Sequence, residues 1–318
     1  MQPTYDQTDP TSPAGSIPHW IDPVRETDLV ARRRTVHRTP ETGWAEFIAT
    51  ARAAEFFTSL GFKVMVGREF IDPIYVRGRS EAEVSESERL AKAAGVSPVL
   101  LQRMGGLTGL CATFDTGHPG KTLAFRVELD ALKMNEPVDP DHIPYREGFA
   151  SERPGLMHAC GHDGHQAVAF ELGRFIVANR DRLTGRIRFI FQPGEEGSRG
   201  AYPIVQSGLL DDVDTLLCAH IATDLQAGTV VAAPEKFLCT TKIDLHFEGV
   251  QAHAGMQPQL GRNALLAAAD AALILMALPR HSDGMTRVNV GTLHAGEGRN
   301  VIAAHADICL LYTSDAAD

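Results

Sequence analysis

The densest run of side chains able to do chemistry is Met157-His158-Ala159-Cys160-Gly161-His162-Asp163-Gly164-His165. Cys160 and His162, two apart, can face the same way in an extended segment, and Gly161 between them lets the backbone bend close to an ion. A thiolate with an imidazole suits Zn²⁺ or a similar first-row ion. The same run also reads as a helix start with capping residues, or as a cysteine nucleophile beside a histidine base. Burying so many unpaired polar groups without an ion would be costly, which favours the metal.

The second cluster is Phe191-Gln192-Pro193-Gly194-Glu195-Glu196-Gly197, where an apolar strand ends in a turn with adjacent carboxylates. Neighbouring side chains at a strand end point apart. One carboxylate can then bind a metal while the other takes a proton from an attacking water, the division that metal-assisted hydrolysis needs. A solvated acidic turn is the plainer alternative. His220 directly follows an apolar strand, and Asp130 ends another in Arg126-Val127-Glu128-Leu129-Asp130. Ligands of open α/β sheets gather at the carboxyl ends of strands, so four elements would deliver Asp130, Cys160 with His162, Glu195 with Glu196, and His220 to one rim.

The elements that must position these residues follow from periodicity. Phe47, Ala51, Ala54 and Phe57 mark a helix over 45–60, closed by Gly61. Residues 122–129, 186–191, 213–219 and 228–233 read as strands, and 164–179 as a helix. Their alternation predicts an α/β fold, a mainly parallel sheet flanked by helices. Residues 68–104 read as a charged insertion rather than core, helical in the second half. Arg32, Arg33 and Arg34 read as a solvated helix face, with an anion site as the alternative. After Pro234 the pattern changes to strand 241–248, a strongly apolar helix 263–278 and strand 287–293, a smaller α+β domain. The expected organisation is a flexible Pro-rich tail over 1–24, a metal-binding domain over 25–235 and a second domain over 236–318.

Composition bounds the partners. The 318 residues carry 30 Lys plus Arg against 40 Asp plus Glu, a formal charge of −10. Such an acidic chain is unsuited to phosphate-backbone binding, so no nucleic acid is expected. The most apolar stretch, 264–278, is too short to span a bilayer and carries Asp270, so no membrane is expected either. Five irregularly spaced cysteines and a polar start without a signal-peptide pattern predict a soluble protein of the cytoplasm.

The metal cluster, the Gln192-Pro193-Gly194-Glu195-Glu196-Gly197 turn and Ala252-His253-Ala254-Gly255 together resemble the di-metal amidohydrolases and peptidases of the aminoacylase and carboxypeptidase G type. The resemblance runs from about Arg32 to about Asp307. It implies a catalytic α/β domain with a smaller inserted lid domain that also serves for dimerisation. It implies two divalent ions, Zn²⁺ or Mn²⁺, with Cys160 bridging them and His162, Glu196 and His220 as terminal ligands. Glu195 would be the general base and Asp130 the acidic residue that orients a ligand. His253 would stabilise the oxyanion in the partner's site, and Asn289 and Arg287 would hold the substrate's carbonyl or carboxylate. Tyr145-Arg146-Glu147-Gly148-Phe149-Ala150, residues 68–104 and Arg287-Val288-Asn289-Val290-Gly291 resemble the branch acting on aroyl-glutamates. The implied substrate is an N-acyl amino acid such as p-aminobenzoyl-glutamate. The implied assembly is a homodimer, or a heterodimer with a similar companion subunit. An aminoacylase of different acyl specificity, or an inactive fragment or partner subunit with a metal site, is the alternative. Residues 309–318 no longer resemble the family, and the expectation is a truncated chain whose lid is incomplete and which lacks one ligand histidine.

Overall fold

The structure, a computed structural model, describes residues 26–315 apart from 198, 224, 233–237 and 283. The tail expected over 1–24 and the boundary expected at 235 lie outside the described residues. Two compact units are present, Met1–Asp224 and Leu225–Asp318. The first contains α1 (Glu26–His37), α2 (Phe47–Ser59), β1 (Lys63–Val66), α3 (Glu81–Ala93), α4 (Pro98–Met104), β2 (Leu110–Asp115), β3 (Thr122–Glu128), α5 (Ile143–Arg146), α6 (His162–Ala178), β4 (Arg186–Gln192), α7 (Ala201–Gln206) and β5 (Thr215–Cys218). The second contains β6 (Leu238–Glu248), α8 (Ala264–Met276), β7 (Thr286–Ala295) and β8 (His305–Asp315).

The first unit is an α/β layer structure on a mixed sheet of order β1-β2-β4-β3-β5. β3 runs parallel to β4 and β5, whereas β2 is antiparallel to β1 and β4. The parallel half sets the carboxyl ends of β3, β4 and β5 side by side, with Glu128 opposite Gln192 and Arg126 opposite Cys218. Helix α2 lies against β1 and β2, α6 against β3, and α1 packs on α6. Phe57 is fully buried at the centre of an aromatic cluster with Phe62, Phe170, Phe189 and Phe191. Removing such a ring costs about 3–5 kcal/mol. A Cβ on Gly173 would approach the Phe57 ring to 2.8 Å, so the absent side chain is what lets α6 close on α2.

Three sequence expectations change. No strand forms over 228–232 among the described residues, although β1 and β2, which the apolar pattern left unassigned, do form. Residues 68–104 are not a peripheral insertion: Phe70, Ile71, Val84, Ala91, Leu100, Leu101 and Met104 all belong to the main core. Charge on the outer face of α3 hid an inner face that packs. The α1 arginines form a partly exposed face that is ion-paired rather than open to an anion. Arg32, Arg33 and Arg34 pair with Glu171, Asp163 and Glu147 at 2.8, 3.0 and 2.5 Å.

The second unit is an antiparallel sheet of order β6-β8-β7. Ala306, Ile308 and Leu310 of the central β8 are buried against Ala264 and Ala268 of α8. Asn263 caps that helix, its Oδ1 accepting from the Leu266 amide at 3.2 Å. Cys309 sits within β8, opposite Asp244 of β6 and Thr292 of β7.

Candidate metal centre

The carboxyl ends of β3 and β4 are joined to each other by the residues that follow them. The Leu129 amide donates to the Gln192 carbonyl at 3.1 Å, carrying the pairing past the strand ends. Asp130 is then fully buried, and its Oδ2 accepts from the Glu196 amide at 2.8 Å. The Gly194 amide donates to Glu46 Oε1 at 2.7 Å, and Thr108 donates its hydroxyl to the same carboxyl group. Burial, then the neighbouring Asp130 charge, pushes Glu46 up to about 8. A Cβ on Gly200 would fall 1.6 Å from the Pro193 carbonyl oxygen, so only glycine lets the chain fold back under this turn. The carboxylates at 195 and 196 therefore sit on a turn pinned from below.

Cys160 and His162 enter from the other side. Gly161 caps α6 at φ +89°, a left-handed value that glycine adopts without strain. This bend brings Cys160 Sγ to 3.4 Å from His220 Nε2, and His162 Nε2 to 3.6 Å from Glu195 Oε2. His162 is fully buried, and its Nδ1 donates to the Asp130 carbonyl oxygen at 2.8 Å. His220 Nδ1 donates to the Ile221 carbonyl oxygen at 2.7 Å. Both imidazoles thus spend Nδ1 on a backbone oxygen and leave Nε2 toward the thiol and the carboxylates.

Within Cys160, His162 and Glu196, one donor atom of each lies within 4.8 Å of the others. Glu128, His162, His165 and His220 form a second such set, sharing His162. Three buried atoms of this region lack any hydrogen-bond partner: Asp130 Oδ1, His162 Nε2 and Glu196 Oε1. An unpaired buried polar atom costs about 1–3 kcal/mol. The electrostatics point the same way. Burial opposes a charge on His162, but Asp130 and Glu128 outweigh it and raise its pKa to about 9. Burial, followed by Glu196, Glu195 and Glu128, pushes the Cys160 thiol up to about 12. The site is short of positive charge. Thiolate, imidazole and carboxylate donors fit a divalent first-row ion, which would displace the protons these groups otherwise hold.

All of Asp130, Cys160, His162, Glu195, Glu196 and His220 lie in this one region. The other sequence candidates belong to the second unit. His253 is exposed, and its Nδ1 accepts from the Gly255 and Met256 amides at 3.2 and 3.1 Å, so Nε2 carries the proton. Arg287 and Asn289 share the exposed face of β7. Sequence reading left Glu128, His165 and Arg126 without a role. The signals were there: His165 follows His162 at the i,i+3 spacing of one helix face, and Glu128 ends its strand two residues before Asp130.

Comparison with known proteins identifies the relatives of the chain. Residues 124–297 match the family model "Peptidase family M20/M25/M40". The chain is 48% identical over 283 residues to a homolog of one p-aminobenzoyl-glutamate hydrolase subunit, from Haemophilus influenzae, covering 89% of this chain and 67% of that protein. It is 49% identical over 281 residues to an indole-3-acetyl-aspartic acid hydrolase of Enterobacter agglomerans, covering 88% and 64%. Among solved structures, an aminobenzoyl-glutamate utilization protein from Klebsiella pneumoniae superposes with TM-score 0.71 at 39% identity, over 90% of this chain and 66% of that one. A dinuclear metal-binding peptidase of the M20 family from Bacillus subtilis gives 0.54 at 25% identity, over 91% and 64%. The chain spans about two thirds of the length of these relatives. The matched family model covers more than half of the chain and every candidate site residue, from Asp130 to Asn289. The chain belongs to peptidase family M20/M25/M40.

Proposed function

We propose that this chain carries the metal site of a cytoplasmic amidohydrolase that cleaves the amide bond of an N-acyl amino acid, with p-aminobenzoyl-glutamate the leading substrate. The observation that carries this reading is the pair of imidazoles, His162 and His220, whose Nδ1 atoms are spent on carbonyls while Nε2 faces Cys160 and the turn carboxylates. Cys160, His162, Glu196 and His220 are the residues that would hold two divalent ions, Zn²⁺ or Mn²⁺. When bound, such ions supply Lewis-acid polarisation of the scissile carbonyl.

The chain's own residues do the rest. Glu195 is partly exposed at 31%, so water reaches it, and Arg126 Nη2 lies 3.8 Å from its Oε1. Glu195 takes a proton from the attacking water as the oxygen bonds to the acyl carbon, then delivers it to the amide nitrogen as the C–N bond breaks. The products are a carboxylate and a free amino acid. Asp130 orients His162 through its backbone oxygen and Glu196 through its carboxylate. His253 donates a hydrogen bond from its Nε2–H to the developing oxyanion of a partner's site, and Arg287 and Asn289 hold the substrate carboxylate or carbonyl. The Haemophilus influenzae relative is named as one subunit of its enzyme, which supports an assembly here too: a homodimer, or pairing with a similar companion subunit. The Enterobacter agglomerans relative makes indole-3-acetyl-aspartate the nearest alternative substrate.

The test begins with chelator-stripped protein titrated with Zn²⁺ and Mn²⁺, with release of p-aminobenzoate or indole-3-acetate then followed. Both this chain and a polypeptide extended to the relatives' length are assayed. The expected result is two ions in the extended polypeptide, fewer in Cys160→Ala, and metal-dependent hydrolysis. Metal content unchanged in Cys160→Ala removes Cys160 from the ligand set, and hydrolysis that survives chelation overturns the reading.

A further inference from the structure

The second donor set, Glu128, His162, His165 and His220, is uneven. His162 Nε2 has no hydrogen-bond partner and His220 Nε2 meets only Cys160 Sγ, itself a candidate ligand, at 3.4 Å, whereas both nitrogens of His165 are held by groups other than candidate ligands of the first set. His165 Nδ1 donates to Glu128 Oε2 at 2.8 Å, and its Nε2 accepts from the Ile221 amide at 2.9 Å. Glu128 is equally occupied, since its Oε1 accepts from Arg126 Nη1 at 2.6 Å. Arg126 in turn donates from Nε to Gln192 Oε1 at 2.7 Å and reaches Glu195 Oε1 at 3.8 Å. To ligate an ion, His165 would have to give up the Ile221 amide or Glu128.

We infer that Glu128, His165 and Arg126 form a positioning chain that holds the His220 loop at one end and the Glu195 carboxylate at the other, and that His165 is not itself a ligand. This rests on the metal-hydrolase reading above. Ile221 is the coupling residue. Its amide is held by His165 and its carbonyl accepts His220 Nδ1, so the same peptide residue fixes the ring that must present Nε2. The side chain of Ile221 also packs on the start of α6, where a Cβ on Gly164 would meet its Cδ1 at 2.7 Å. His220 needs this support because it follows β5, an edge strand whose residues are all exposed. The carboxylate of Glu128 sets the tautomer: with the proton on Nδ1, Nε2 of His165 is the acceptor the Ile221 amide requires. Supports of this kind change metal affinity by about 10–100-fold when removed.

The experiment uses the whole chain as wild type, His165→Ala, His165→Gln and His220→Ala, with the double variant His165→Ala/His220→Ala. Zn²⁺ titration separates the ion that depends on His220 from the other. His165→Ala is expected to weaken the His220-dependent ion by about 10–100-fold, to leave the other within a few-fold, and to add nothing in the His220→Ala background. His165→Gln, whose amide oxygen can accept from the Ile221 amide, is expected to recover much of the loss; a missing ligand would not be rescued this way. In metal-free protein, hydrogen exchange at Ile221 should speed up in His165→Ala. Equal weakening by His165→Ala with and without His220 overturns the inference, as does Ile221 exchange that does not change. A wild type that takes up no Zn²⁺ sinks the metal reading instead, and the exchange measurement still decides whether His165 holds the loop.

Discussion

Two groups of buried histidines and carboxylates share the first turn of α6, and they are wired differently. In the group centred on His37 the ring bridges Asp163 Oδ2 at 2.8 Å and Glu136 Oε1 at 2.9 Å. Arg33 reaches the same Asp163 oxygen at 3.0 Å, the Gly164 amide takes Asp163 Oδ1, and His142 and the Ser151 amide complete Glu136. No buried side-chain nitrogen or oxygen of His37, Asp163 or Glu136 lacks a partner, and only the neighbouring His158 Nδ1 goes without one. One residue along the helix, the group around His162 leaves three buried atoms without one. Titratable residues are dense in both. What separates a structural knot from a ligand site is the unspent valence: the first group is neutralised by its own members, the second by something it does not contain.

The largest expected effect tests the open group. Glu195→Gln keeps the shape of the carboxylate but removes the proton acceptor, so turnover of the extended polypeptide should fall by about 10²–10⁴-fold. Metal content and thermal stability should stay near wild type. Turnover within a few-fold of wild type would take the base role from Glu195. The same change at Glu196 should instead lower metal retention, and a Glu196→Gln protein that holds its ions as well as wild type would remove Glu196 from the ligands.

The next effect tests the closed group. His37 is 1% exposed between two buried carboxylates. His37→Ala leaves Asp163 and Glu136 facing each other without the ring, a change expected to cost about 3–5 kcal/mol of stability, read from urea unfolding. At saturating Zn²⁺ the folded variant should still bind its ions. Loss of metal binding in a folded His37→Ala protein would show that the two groups act as one, and the contrast between them would fail.

How much of this could be read from the sequence depended on whether a signal was local. The cluster from Met157 to His165 was legible because its residue types are rare together, and the turn at Glu195 because a strand ends there. The core role of residues 68–104 was not, since Val84 and Ala91 alternate with exposed glutamates on α3, and only the packing partner shows which face counts. β1 escaped because Lys63–Val66 is four residues long, too short for periodicity to speak. His37 was hidden for a different reason. Its partners Asp163 and Glu136 are 126 and 99 residues away, and nothing in a basic stretch of α1 marks one histidine as the bridge between them. The tautomers of His162 and His220, which carry the functional reading, exist only once the Asp130 and Ile221 carbonyls are in place.

The smallest expected effect is the pH dependence of the closed group. Burial alone would lower the His37 pKa, but hydrogen bonds and charge from Asp163 and Glu136 outweigh it and hold the value above the ordinary 6.5. A group whose folded pKa is raised contributes stability that is complete below the unfolded value and is lost as pH rises through the folded one. Asp163 acts in the opposite sense. Burial would raise it, but His37, His158 and Arg33 hold its carboxyl below the ordinary 3.8, so its contribution is present above that value and fades only in stronger acid. Burial pushes His158 down to about 4, which keeps its titration below the neutral range. The stability gap between wild type and His37→Ala, measured on metal-free protein, should therefore be widest between the ordinary carboxylate and imidazole values, 3.8 and 6.5, and narrow as pH rises past 6.5 through the raised folded value. His162, raised to about 9, titrates in both proteins and cancels in the difference. A gap that stays constant over this range would mean that His37 bridges its carboxylates as a neutral ring, and the closed group would then owe its cohesion to hydrogen bonding without charge.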